Sequence, residues 1–289
     1  MYKKLIDNIF SDFKDFFVDI KFSKFIKYRF VDDMSGGMKV SRTGSKAYIA
    51  ISNDIKFLDI NNDVSKIYVL FMIGHELAHL VNKHLEYNDK NKFDSQTLEM
   101  WADYFGTKIS MSILQNGTRF QKMLNLNVKD ANIGLETISQ ALIILNKNIY
   151  INTNYSNKYL HSNQRVSTVI AGIISFLTRK EMIMNFQVSK DRQAYIGFGW
   201  GMAIIRKLLK QKISNELSRN KNFIDIPELS KNVFIIHNSL KQKNRQLIKG
   251  LDFFHSFILD TSYGEHIPNQ MMKDKFNQEF NKLGWDMKL

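Results

Sequence analysis

The chain has 289 residues, 44% of them hydrophobic with 22 Phe, no cysteine and a formal net charge of +13. Length and apolar content of this order bury a core and exclude a disordered or low-complexity protein. The absence of thiols excludes disulfide staples and cysteine-ligated metal sites, leaving histidine and carboxylate as ligands.

Residues 2–20 carry Ile6, Ile9, Phe10, Phe13, Phe16, Phe17 and Ile20 at helical spacing, with Lys and Asp between them. They predict an amphipathic helix packed on the core. Asp7, Asp12, Lys14 and Asp15 interrupt the apolar run that a signal peptide needs. No uninterrupted apolar run approaches the roughly 20 residues of a membrane span, so the expectation is a cytoplasmic protein without a transmembrane segment. Short β-biased runs follow at Phe25–Val31, Met38–Arg42 and Lys46–Ser52, the first two separated by Asp32-Asp33-Met34-Ser35-Gly36-Gly37. These predict a small antiparallel sheet immediately upstream of the next helix.

Asn61-Asn62-Asp63 offers an N-cap for a helix running from Val64 to about Tyr87. It is apolar nearly all round between Ile67 and Ile73, so it reads as a buried central element. It contains His75-Glu76-Leu77-Ala78-His79. Residues i and i+4 share a helix face, so both imidazoles can reach one metal ion. Glu76 flanks that face, where it can take a proton from a water on the ion. His84 lies five residues past His79, about 140° further round a continuous helix, and on such a helix it points away.

After a polar loop, a second helix is predicted over Gln96–Leu114, stopping at Asn116-Gly117. Glu99 and Asp103 are again i and i+4. One carboxylate can complete a three-ligand set with His75 and His79, while the other accepts the free N–H of a ligating histidine. Trp101, Tyr104 and Phe105 make this helix largely buried, and buried carboxylates require a metal or a pair. Ala102 and Gly106 lie along the same stripe and permit a close approach of the two helices.

Further helices are predicted at Val128–Asn146, Asn163–Thr178, Gln193–Leu217, Glu228–Ile258 and Lys273–Leu283. Asn116-Gly117 is the best candidate boundary. It separates residues 1–116, which hold the first helix, the sheet and the metal-site core, from a helical region at 117–289. Between Arg179 and Lys249 there are 15 Lys/Arg against 5 Asp/Glu. Such an excess attracts nucleic acid, an anionic membrane surface or an acidic protein. No recognition-helix signature accompanies it, and solvated helix faces are the plainer reading. His237, His255 and His266 read as core or surface residues.

His75-Glu76-Leu77-Ala78-His79 followed by Glu99-Met100-Trp101-Ala102-Asp103 resembles the gluzincin zinc metallopeptidases. Within that group the residues are similar to the HtpX-like and CAAX-processing peptidases, the Lit-type phage-exclusion peptidases and the ImmA/IrrE-type peptidases. The likeness covers about Lys46 to Leu114. It implies a mainly α (α+β) fold with a zincin-like two-helix core, one Zn2+ ion on His75, His79 and Glu99, and Glu76 as base. The substrate would be a protein or peptide, with Asp103 orienting a histidine. HtpX-like peptidases also carry a His and an Arg after the third ligand, and His161 and Arg165 are the matching candidates for stabilising an oxyanion. A peptidase-like regulator that binds nucleic acid or a protein through its basic helices is the alternative.

Overall fold

A computed structural model describes residues 1–34, 37–88, 91–125, 131–153, 158–184, 226–240 and 250–259. All of them belong to one compact unit, Met1–Leu259. The fold is mainly helical with one small sheet, as an α+β reading requires.

Helix α1 spans Tyr2–Asp15 and buries Leu5, Ile6, Ile9, Phe10 and Phe13 on one face. Asp12 on that face is buried too. It accepts from the backbone N–H groups of Arg119 (3.1 Å) and Phe120 (2.7 Å), capping the helical turn Thr118–Gln121.

Strands β1 (Tyr28–Val31), β2 (Met38–Ser41) and β3 (Tyr48–Ser52) form a sheet in the order β1-β3-β2. The expectation of an antiparallel sheet holds for β2 and β3 but not for β1 and β3, which pair in parallel. The chain reverses twice, so β3 runs in the direction of β1. Ile49, Ala50 and Ile51 make β3 the most buried strand, and it takes the centre instead of extending the sheet beyond β2. This leaves β2 as an edge.

Helix α2 spans Asp63–Val81, its first turn held by Asn62, whose Oδ1 accepts from Ser65 N at 2.8 Å. By length and composition it could cross a membrane, but its most apolar window is 67% buried inside the protein. Helix α3, Lys92–Asn116, begins earlier than expected because Asn91 accepts from Asp94 N at 2.8 Å and serves as its cap. The two helices touch through glycine. A Cβ on Gly74 would stand 2.0 Å from Ser110 Oγ and 2.5 Å from the Gly106 carbonyl oxygen. A Cβ on Gly106 would stand 2.6 Å from the Gly74 carbonyl oxygen. Ser110 Oγ donates across the crossing to the Leu70 carbonyl at 3.1 Å.

Helix α4 (Ala131–Leu145) runs into a π-type turn at Asn146–Tyr150. It is followed by α5 (Ser162–Met184), α6 (Ile226–Ser239) and α7 (Phe253–Ile258). Helices α5 and α6 pack on α3, and α4 packs on α2. Of the expected helix Glu228–Ile258, the described residues hold two pieces, α6 and α7. The expected helices Gln193–Leu217 and Lys273–Leu283, His266 and most of the basic stretch lie outside the described residues.

Candidate metal centre

The glycine contact between α2 and α3 brings three side chains to one point. His75 Nε2 and His79 Nε2 are 3.1 Å apart, and Glu99 Oε2 lies 3.2 Å from the first and 3.5 Å from the second. A tetrahedral ion with bonds of about 2.0–2.1 Å separates its ligand atoms by about 3.3–3.4 Å. The triangle therefore matches one face of such a tetrahedron, and His75, His79 and Glu99 can hold a metal ion.

Each ligand has its own support. His75 turns Nδ1 to Asp103 Oδ1 at 2.9 Å. The same oxygen accepts from Tyr150 at 3.2 Å and Arg165 Nη2 at 2.9 Å, while Oδ2 accepts from Arg165 Nε at 2.7 Å. Burial alone would raise Asp103, but the Arg165 guanidinium and His75 hold its carboxyl below the usual range. Burial would likewise lower His75, yet Asp103 and Glu99 outweigh it and lift the imidazole to about 10. Glu99 keeps Oε2 toward the histidines while Oε1 accepts from Lys158 Nζ at 2.7 Å. Its pKa sits well below the ordinary carboxylate value because His79 and His75 overcome the effect of burial.

The support of His79 departs from expectation. Helix α2 ends at Val81, Lys83 takes a left-handed conformation at φ 53°, and a short 3-10 turn covers His84–Glu86. This break folds His84 back under the helix, where it is 1% exposed. His84 does not join the ligand triangle; it meets the opposite nitrogen of His79, Nδ1 to Nδ1, at 2.8 Å. Its own Nε2 lies 3.1 Å from Nε2 of His237 on α6.

Glu76 lies beside the triangle, and its Oε2 accepts from the Val40 N–H of edge strand β2 at 2.9 Å. Burial pushes its carboxyl up. A cleft of about 710 Å³ opens at His75 and Glu76, with Met38, Tyr68, Tyr150 and Tyr159 among its walls. A smaller hollow of about 120 Å³ adjoins it, reaching Val40, His79, Glu99 and Lys158.

Two expected residues have other partners. His161 precedes α5 and caps it. Its Nδ1 accepts from Asn163 N at 3.4 Å and its carbonyl from the N–H groups of Gln164 and Arg165; neither hollow touches it. Arg165 reaches the cleft wall, but it is 3% exposed, with two nitrogens on Asp103 and Nη1 on Thr153 at 3.3 Å. Lys158 and Tyr159, just before His161 in the chain, also line the two hollows. Tyr150 had no sequence signal; the π-type turn carries it to Asp103. Comparison of the chain with protein-family models, with curated proteins and with solved structures gave no match, so what the centre does rests on its own geometry.

Proposed function

We propose that the protein is a zinc-dependent peptidase acting on a protein or peptide. The observation that carries this reading is the triangle of His75, His79 and Glu99 with Glu76 beside it. Two imidazoles and one carboxylate, with no thiolate in the chain, suit zinc in its catalytic form, which keeps one position open. An ion there would acidify a bound water to a pKa of about 7 and polarise a carbonyl.

The residues then divide the work. Glu76 takes the proton of the attacking water and delivers it to the leaving amine, and a carboxyl raised by burial is suited to both transfers. Asp103 fixes the His75 ring with Nδ1 protonated and Nε2 free to ligate. Edge strand β2, whose Val40 N–H points at Glu76 and away from β3, offers its outer side to an extended peptide by strand addition. To Lys158, bonded to Glu99, we assign the stabilisation of a developing oxyanion, the role expected of His161 and Arg165.

Glu76→Gln tests the reading. The variant should retain zinc by elemental analysis and lose about 10²–10⁴-fold in cleavage of a peptide library. Cleavage at the wild-type rate would sink the mechanism, and wild-type protein purified without zinc and unable to take it up would sink the site.

A further inference from the structure

We propose that His84 and His237 are positioning residues for the metal ligand His79, and that α6 thereby completes the metal centre. This rests on the reading of His75, His79 and Glu99 as ligands. A histidine that offers Nε2 to an ion keeps its proton on Nδ1. In His79 that N–H meets Nδ1 of His84 at 2.8 Å, so His84 accepts there. An imidazole accepting at Nδ1 carries its proton on Nε2, and in His84 this N–H points at Nε2 of His237, 3.1 Å away. His237 accepts at Nε2 and holds its proton on Nδ1. One tautomer assignment satisfies both contacts with three neutral rings. The reverse direction would require a proton on the nitrogen that His79 turns to the ion.

The last ring is built for this task. Burial holds His237 down to about 4, so it is neutral and able to accept. Its ring lies 25° from that of His84, with centroids 5.3 Å apart, and meets Trp101 edge-on. Helix α6 is fixed to α3 by Asn232, whose Nδ2 donates to Asp94 Oδ1 at 2.8 Å and to Thr97 Oγ1 at 2.9 Å. Those acceptors lie in the turns before Glu99. One helix therefore supplies a ligand and also holds the element that steadies another.

The test compares Leu with Gln at both positions in the full chain. Gln can accept and donate as the imidazole does, whereas Leu can do neither. Zinc affinity is read by competition with a chromophoric chelator, and the melting temperature of chelator-stripped protein controls for folding. His84→Leu should weaken zinc about 10–100-fold, His237→Leu about 3–10-fold, and the two Gln variants less than about threefold. Imidazole ¹⁵N spectra of zinc-loaded wild-type protein should place protons on His84 Nε2 and His237 Nδ1. Leu variants that bind zinc within about twofold of wild type, or a His84 proton found on Nδ1, would overturn the proposal. If His84→Leu does not fold, His237→Leu and the wild-type spectrum decide it. A wild-type protein that binds no zinc removes the ligand reading itself, whereas unchanged affinity in the variants removes only the chain of imidazoles.

Discussion

His75 and His79 leave α2 one turn apart and converge on the same point, yet they are held by unlike chemistry. Behind His75 stands a carboxylate with four donors on its two oxygens, among them a two-pronged guanidinium. Behind His79 stand two imidazole rings in series. A carboxylate makes its histidine more basic and binds it through a charge-assisted bond. An imidazole fixes the angle of its partner and leaves the charge of the site unchanged. The difference teaches where each support is vulnerable. The His75 side depends on charge balance in a buried place, and the His79 side depends on the docking of a distant helix.

Removing one charge should expose that contrast most strongly. Arg165→Leu leaves Asp103 buried without its guanidinium partner and should cost about 3–5 kcal/mol in chemical denaturation. His237→Leu removes only a neutral acceptor and should cost about 1–3 kcal/mol. Equal losses would mean that the two sides are not held by different forces. Asp103→Asn keeps the shape but not the charge, and should weaken zinc binding about 10–100-fold. If affinity is unchanged, the carboxylate does not tune His75.

A fourth substitution acts on both sides together. Gly106→Ala places a methyl 2.6 Å from the Gly74 carbonyl and should cost about 1–3 kcal/mol by separating the helices, with zinc affinity falling as well. Asp12→Ala removes the cap on the turn at Thr118–Gln121, should cost a similar 1–3 kcal/mol or so, and should leave zinc affinity alone. Parallel behaviour of the two variants in a zinc titration would refute a specific role for the glycine contact.

A further contrast is in pH. In chelator-stripped protein the His75 pKa rises from 6.5 to about 10, because Asp103 and Glu99 outweigh burial. The folded state then holds the proton more tightly than the unfolded chain. The resulting stability is fully present below pH 6.5 and is lost as pH rises toward about 10. Zinc must expel that proton, so zinc-loaded protein should gain stability over the same window. Melting temperatures from pH 6.5 to 10 with and without zinc should diverge, and parallel curves would count against the assignment.

The half of the site that lies on regular helices was legible in the sequence. His75, His79, Glu99 and Asp103 obey the i, i+4 rule within two uninterrupted helices, and Gly106 marks their closest contact. The other half depends on a break in regularity. Nothing in Asn82-Lys83 announces that a lysine will take a left-handed conformation, so a continuous helix sent His84 outward when the real chain brings it under His79. Arg165 was expected to serve an oxyanion, and its place as the partner of a buried acid was hidden by its distance from Asp103 along the chain. The parallel pairing of β1 was hidden for a related reason: local patterns give strand direction, whereas the choice of the central strand follows from which one buries most apolar surface.

The contact of Gly74 with Gly106 has a bearing on how such a protein can change over generations. The separation of the ligand atoms is set where two main chains meet, not by the girth of the apolar side chains around them. Exchanges among the buried apolar residues of the two helices, such as Ile73, Leu77 and Ile109, can therefore shift the melting point without shifting the ruler that spaces the ligands. Stability and chemistry in this protein are free to drift apart, provided the two glycines stay.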